Sequence, residues 1–166
     1  MLPEISARQI DLPLLPELFA TGYNIGDQIV KRAELAAGPT VQIIATLIFY
    51  DAEFPETARY VAMSGAELNS VPTALGDQWD WVSKTMIPTR AYENGIFLAY
   101  ANSAGTENGL HFLGHSFIAA PDGKELARAS RDPAIIYEAI EPELVAAAQS
   151  RLPYLDDLKA LKTGIK

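Results

Sequence analysis

The alternation of apolar and polar stretches along the chain predicts strands and helices that follow one another, as in a protein of the α/β class. Residues 41–49 form one continuous apolar stretch, which favours a strand buried on both faces. Pro55 stands where a first helical residue is expected and predicts a helix that ends near Gly65. A further helix is predicted over residues 78–93, kinked or divided at Pro88 because proline interrupts helical hydrogen bonding.

The remaining elements complete this mixed pattern. Helices are also predicted over residues 25–37 and 142–150, and the tail 152–166 is expected to become ordered only against a partner surface. Further strands are predicted at residues 12–15, 68–71, 96–102, 112–119, 125–129 and 135–140. No repeat or linker divides the sequence, so its 166 residues predict a single domain, residues 1–166.

The most informative motif is the stretch TLIFYDAEFPE at residues 46–56, in which an apolar run stops at Tyr50 and Asp51 before the predicted helix. A strand, a sharp turn and a helix in this order commonly present a nucleophile at the edge of a sheet. The stretch closely resembles the nucleophile segment of the nitrilase (carbon–nitrogen hydrolase) superfamily, where a cysteine precedes Tyr-Asp. Phe49 occupies that cysteine position, and the chain contains no cysteine. A benzyl side chain cannot attack a carbonyl or a nitrile.

The resemblance extends over most of the chain in the family's order. Residues 14–27, LLPELFATGYNIGD, match the segment that carries the family's general base, which implies that role for Glu17. The resemblance also implies that the backbone N–H of Tyr50, directly after the nucleophile position, helps to bind substrate by holding an oxyanion. Other matching segments are residues 65–68, 71–74, 90–94, 98–102, 114–118 and 121–123.

Two parts of the family pattern are missing. The first strand and helix are absent or reduced to residues 1–10, and residues 42–45 pass directly into the nucleophile strand. The family places a catalytic lysine and a second glutamate before that strand, whereas Lys31 and Lys84 lie in predicted helices outside any matching motif. The resemblance therefore implies an incomplete nitrilase-like α-β-β-α sandwich. Sheet edges and apolar faces left unpaired in it predict a homo-oligomer.

Each candidate site residue also has a purely structural interpretation. Glu17 is a plausible solvated loop acid on its own, although partial burial at a strand end would raise its pKa and suit a general base. The polar elbow can equally be a tight turn in which Asp51 bonds its own backbone. The sequence alone leaves these alternatives open.

Composition narrows the possible partners and location. A net charge of −8 argues against nucleic acid and anionic membranes, which require clustered basic residues. The longest apolar runs are too short to span a membrane, and the first residues, MLPEISARQ, lack the pattern of a signal peptide. The absence of cysteine removes disulfides and thiolate metal sites, which favours a cytoplasmic protein.

No cofactor or metal site is predicted. His111 and His115 on one strand would lie about 13 Å apart, too far to share an ion. Residues 22–26 lack the lysine and spacing of a phosphate-binding loop, and no serine stands in a Gly-x-Ser-x-Gly elbow. Three aromatic residues are expected to pack in the core: Trp79, Trp81 and Tyr92.

Three functions stay open on this basis. The first is a carbon–nitrogen hydrolase by descent, of amidase or nitrilase class, that acts on a small amide or nitrile and is inactive or rewired here. The second is a non-catalytic binding or assembly protein that keeps part of the hydrolase fold, and the third is a remnant without selected activity. The missing cysteine and lysine predict negligible turnover.

Overall fold

The structure is a computed structural model that describes residues 12–17 and 44–164. Within these ranges, regular structure begins at residue 44 and alternates between strands and helices. The strands are β1 (Ile44–Thr46), β2 (Leu68–Thr73), β3 (Phe97–Asn102), β4 (Ala104–Glu107), β5 (Leu110–Leu113), β6 (Phe117–Ala119) and β7 (Glu125–Arg128). The α-helices are α1 (Pro55–Met63), α2 (Ile87–Asn94), α3 (Glu143–Arg151) and α4 (Tyr154–Gly164).

The strands form a five-stranded sheet and a separate hairpin. The sheet has the order β1-β2-β3-β6-β7, and β4 pairs with β5. Strands β1, β2 and β3 run parallel, with Ile44, Leu68 and Phe97 level with one another, whereas β6 and β7 are antiparallel to their neighbours. The carboxyl ends of three parallel strands therefore meet at one edge of the sheet.

Helices α1 and α2 cover one face of the sheet. Alternate residues of β2 and β3, including Val71 and Leu98, pack there against Ala58 of α1 and Ile87 of α2. We call this group the main core cluster: Leu47, Ala52, Ala58, Val71, Leu75, Val82, Ile87, Ala91, Leu98, Tyr100, Leu113, Phe117 and Ala119. A second cluster joins the sheet to α3 and α4 and contains Ala62, Leu68, Ile96, Phe97, Ala120 and Val145, with Leu155 packed against it.

Proline and glycine define the ends of both helices that pack on this face. Helix α1 begins with Pro55 at its first turn, as predicted, and ends at Met63, just before Gly65. The predicted helix 78–93 is divided near Pro88, which lies in the first turn of α2 after a π-helical stretch, Val82–Met86. Gly95 ends α2 in a left-handed conformation with a φ of 61°.

Two predicted strands are absent from the described part of the chain. Residues 12–16 have no regular structure, because Pro13 and Pro16 lack the N–H that a strand ladder requires. Residues 135–140 are irregular as well. Their apolar, β-branched composition suits a strand but does not provide a neighbouring strand to pair with. The predicted helix 25–37 lies outside the described residues.

The predicted strand 112–119 is interrupted. It separates into β5 and β6 at Gly114 and His115, whose φ angles of 69° and 55° are incompatible with a continuous strand. A Cβ atom on Gly114 would lie 2.6 Å from the carbonyl oxygen of Arg131, so the close approach requires glycine.

The three aromatic residues expected in the core are at the surface instead. Trp79, Trp81 and Tyr92 have exposed fractions of 55%, 71% and 41%. The predicted helix is broken into a 3₁₀ turn, a π-helical stretch and α2, which changes the positions that face the sheet. Val82 and Ile87 occupy the buried positions in their place.

The tail of the chain is helical. Residues Tyr154–Gly164 form α4, which packs near α2 and contributes Leu155 to the second cluster. None of the helices among the described residues is both long and apolar enough to cross a membrane.

Two buried asparagines on one face of the sheet differ in their hydrogen bonding. Asn102 accepts a hydrogen bond from the Leu75 N–H at 2.7 Å and donates one to the Gly114 carbonyl at 2.8 Å. Asn69 is fully buried, and neither end of its amide has a partner among the described residues. A buried amide without partners destabilises the folded state.

We predict that Asn69→Leu raises the free energy of unfolding by about 1 kcal/mol, because it removes unpaired polar atoms at similar volume. The matched change Asn102→Leu should lower it by about 2 kcal/mol, because it leaves two buried backbone groups unpaired. Urea unfolding of both variants measures this contrast. A loss of stability in Asn69→Leu similar to that in Asn102→Leu would contradict the prediction.

Candidate functional site

The motif at residues 46–56 forms a sharp elbow at the carboxyl edge of the parallel strands. The chain stays beside β2 up to Leu47, whose N–H donates to the Ser70 carbonyl at 3.0 Å. It then enters a 3₁₀ turn, Phe49–Glu53, which leads into α1 and which we call the elbow turn. Crevices outside the carboxyl ends of parallel strands are the usual ligand sites of α/β sheets.

Phe49 begins the elbow turn with a strained backbone. Its φ is 45°, in the left-handed region that a phenylalanine rarely adopts. The side chain is half-buried and packs against the main core cluster. Strain of this kind persists only where surrounding contacts hold it, and it commonly marks a functional position. The ring thus occupies space beside the core at the carboxyl end of β1.

Tyr50 points away from the core. Its exposed fraction is 58%, and its ring meets Phe54 edge-on with the ring centres 5.0 Å apart. The side chain therefore belongs to the outer surface of the elbow, and the proposed substrate contact of Tyr50 concerns its backbone N–H alone.

Backbone hydrogen bonds close the turn through Asp51. The Asp51 N–H donates to the Ile48 carbonyl at 3.1 Å, and the Asp51 carbonyl accepts from Phe54 at 3.4 Å. The Thr57 hydroxyl shares its single proton between the carbonyls of Phe54, at 2.8 Å, and Asp51. The backbone of this segment therefore forms a tight turn.

Arg90 of helix α2 also binds the elbow turn. Its Nε and Nη2 donate to the carbonyls of Ala52 and Glu53 at 3.3 and 2.6 Å, and its Nη1 contacts Glu93 Oε1 at 3.1 Å. Sequence reasoning gave Arg90 no role, although it stands in a segment that matches the family. The sequence signal that could have identified it is an arginine next to apolar positions of a predicted helix. Such an arginine is expected to be buried, and a buried arginine requires hydrogen-bond partners.

Glu17 lies in a turn directly after Pro16 and is half-buried. Its Oε2 atom is enclosed and has no hydrogen-bond partner among the described residues. Burial raises the pKa of the Glu17 carboxyl above its ordinary value, because the charged form loses hydration. These properties are compatible with a general base.

A second carboxyl with similar properties lies in the elbow turn. Burial raises the pKa of Glu53, the residue whose carbonyl accepts from Arg90. Burial also raises the pKa of the Tyr100 hydroxyl, and the nearby negative charge of Glu53 acts in the same direction. Tyr100 therefore stays protonated at physiological pH. No sequence motif marks either residue, because both pKa shifts depend mainly on burial in the folded chain.

Other candidate side chains are engaged elsewhere. Lys84 pairs with Asp80 at 2.8 Å on one helical face. His111 Nδ1 is 2.9 Å from the Thr106 hydroxyl, and His115 Nδ1 is 3.3 Å from the Ala129 carbonyl oxygen. Over residues 12–17 and 44–164, no group of three potential metal ligands comes together.

Sequence and structural comparisons relate the chain to carbon–nitrogen hydrolases. Residues 40–150 match the carbon-nitrogen hydrolase family model. The chain is 44% identical over 111 residues to a "Hydrolase in pqqF 5'region" of Pseudomonas protegens, covering 67% of this chain and 39% of that protein. It is 34% identical over 122 residues to an (R)-stereoselective amidase of Pseudomonas sp., covering 73% and 44%.

A solved structure shows the same relationship. The NitN amidase of Nesterenkonia sp. AN1 superposes with a TM-score of 0.57 at 38% identity, covering 66% of this chain and 44% of that chain. This chain thus spans less than half the length of these relatives. The fold is nitrilase-like and covers part of the relatives' structure. The chain belongs to the carbon–nitrogen hydrolase family.

Proposed function

We propose that this chain is an amidase-class carbon–nitrogen hydrolase by descent whose own hydrolytic chemistry is impaired. The observation that carries the proposal is Phe49, which stands at the family's nucleophile position and begins the elbow turn. Because the chain contains no cysteine, no thiol from another position can replace it. Relatives described as amidases favour a small amide as the ligand class, with a nitrile as the other family option.

Within this proposal Glu17 is the remaining general base and the Tyr50 N–H is the remaining oxyanion donor. The enclosed carboxyl of Glu17 and its raised pKa support the first role. The position of Tyr50 at the start of the elbow turn supports the second. Neither group forms a bond to the substrate carbon, so both would bind and polarise an amide without cleaving it. That outcome corresponds to the alternative function, a non-catalytic binding or assembly protein.

The first test is amide turnover. We predict no enzymatic hydrolysis of short aliphatic amides, because loss of the nucleophile in enzymes of this type costs on the order of 10⁶ in rate. Ammonia release is the measurement, with Glu17→Ala as the control. Turnover of about 1 s⁻¹ that Glu17→Ala abolishes would overturn the proposal.

The amide turnover of Phe49→Cys should also stay near background, because the family's lysine and second glutamate have no counterpart in a matching motif.

The second test separates the packing of Phe49 from its backbone strain. Phe49→Ala should lower the free energy of unfolding by about 2 kcal/mol, because the ring is only half-buried. Phe49→Gly should be about 1 kcal/mol more stable than Phe49→Ala, since glycine tolerates a positive φ.

The control for this comparison is Tyr60, an exposed residue inside α1. There alanine should be the more stable replacement by about 1 kcal/mol, because glycine weakens a helix interior. Chemical unfolding of the four variants gives both differences. Equal stability of Phe49→Ala and Phe49→Gly would show that the backbone at position 49 is not strained.

We also propose that the chain forms a homo-oligomer and is cytoplasmic. Among the described strands β1 is the last in the order of the sheet, and several apolar side chains lie exposed on the described surface, among them Ile48, Tyr60 and Trp81. Sedimentation velocity at increasing concentration should show association, and Trp81→Ser should weaken it. A monomer at all concentrations up to about 100 μM, a range that detects typical micromolar association, would contradict this proposal. The cytoplasmic location relies on the cysteine-free composition.

A further inference from the structure

We propose that Arg90 is a positioning residue that fixes the elbow turn and, through it, the backbone of position 49. One guanidinium joins the end of the turn to helix α2 by donating to two consecutive carbonyls, those of Ala52 and Glu53. The inference concerns the geometry of the nucleophile position and does not depend on whether the chain hydrolyses an amide.

The burial of Arg90 explains why these contacts are strong. Only 9% of its side chain is exposed, so the charge depends on protein partners in place of water. Glu93 supplies a carboxylate 3.1 Å away, and its carbonyl accepts from Arg59 Nη1 at 2.7 Å. Helices α1 and α2 are therefore joined at the point from which Arg90 reaches the turn.

The carbonyls that Arg90 binds have few other possible partners. They belong to the last two residues of the elbow turn, where helical carbonyls lose their partners within the helix. Ala52 is fully buried, which keeps water from its carbonyl. A planar guanidinium offers adjacent N–H groups in a fixed fork, whereas the single ammonium of lysine cannot place donors on both oxygens in the same way.

The second half of the elbow turn and the residue after it are thus held by groups outside the turn. Thr57 holds the carbonyls of Asp51 and Phe54, and Arg90 holds the two between them. With these four consecutive carbonyls held, the chain has little freedom to relax the positive φ of Phe49. Arg90 acts on position 49 through the backbone and not by contact with its side chain.

The first measurement is hydrogen exchange of the full chain with Phe49 retained. In Arg90→Lys, peptides covering residues 49–54 should exchange about tenfold faster, because the turn opens locally, while β3 keeps its protection. Arg59→Lys is the matched control: it weakens the contact of α1 with the Glu93 carbonyl but leaves both Arg90 contacts to the turn, so the turn should keep its protection. Equal loss of protection in the turn and in β3 would overturn the proposal, because it indicates global destabilisation, and so would unchanged exchange in the turn.

The second measurement uses Phe49→Cys as a probe and follows alkylation of the introduced thiol by iodoacetamide as a function of pH. Thiol reactivity depends on the local backbone dipoles and charges, so a displaced turn should change the pH profile and lower the limiting rate about threefold or more. Arg90→Lys in this background should show the change, and Arg59→Lys should stay within about twofold of the parent.

A comparison with Arg90→Met separates position from charge. If Arg90→Lys keeps the parent profile and only Arg90→Met changes it, Arg90 acts by its charge and the positioning role is wrong. Arg90→Lys alone decides the question if Arg90→Met fails to fold. Both measurements are independent of amide turnover, so the proposed function and this inference can fail separately.

Discussion

The parallel pairing of β2 on both of its sides is the constraint on which the described structure depends. Strands β1 and β3 both pair in parallel with this nearly fully buried strand, so the carboxyl ends of all three strands lie at one edge of the sheet. The elbow turn leaves the sheet from that edge, and Asn102 ties the loop after β2 to the segment before β6. Parallel strands require both faces of their sheet to be covered. Helices α1 and α2 cover the face that carries the main core cluster.

The shape of the elbow turn does not depend on the side chain at the nucleophile position. The bonds that hold the turn come from Thr57, Arg90 and the backbone, and none of them involves the side chain of position 49. A phenylalanine therefore sits in a backbone conformation that normally needs a functional reason to persist. The ring gains contacts with the core, which offset part of the cost of the strained backbone.

The predicted elements that the structure confirms are those whose ends are marked by proline or glycine in the sequence. Pro55 marks the start of α1, Pro88 divides the helical region, and Gly95 separates α2 from β3. The hairpin of β4 and β5 was missed, although Asn108 and Gly109 form its turn with φ angles of 49° and 80°. An Asn-Gly pair is a strong hairpin signal, so this element could have been predicted from the sequence.

Other errors have a different origin. The strand expected at residues 12–15 failed because Pro13 and Pro16 lack the N–H that a strand ladder requires. The strand expected at residues 135–140 failed because apolar composition does not provide a neighbouring edge to pair with. The surface positions of Trp79 and Trp81 follow from a π-helical stretch that changes the helical phase, which no local pattern indicated.

The sequence by itself determined the family, the motif order and the chemical limit, since a chain without cysteine cannot supply the family's thiol. It also pointed to Glu17, whose raised pKa depends on burial that only the structure describes. Only the tertiary structure revealed Arg90, which binds carbonyls 37 and 38 residues earlier in the chain, and the burial that raises the pKa values of Glu53 and Tyr100. Local residue preferences encode turns and helix ends, whereas burial and the contacts of distant residues arise only once the sheet has brought them together.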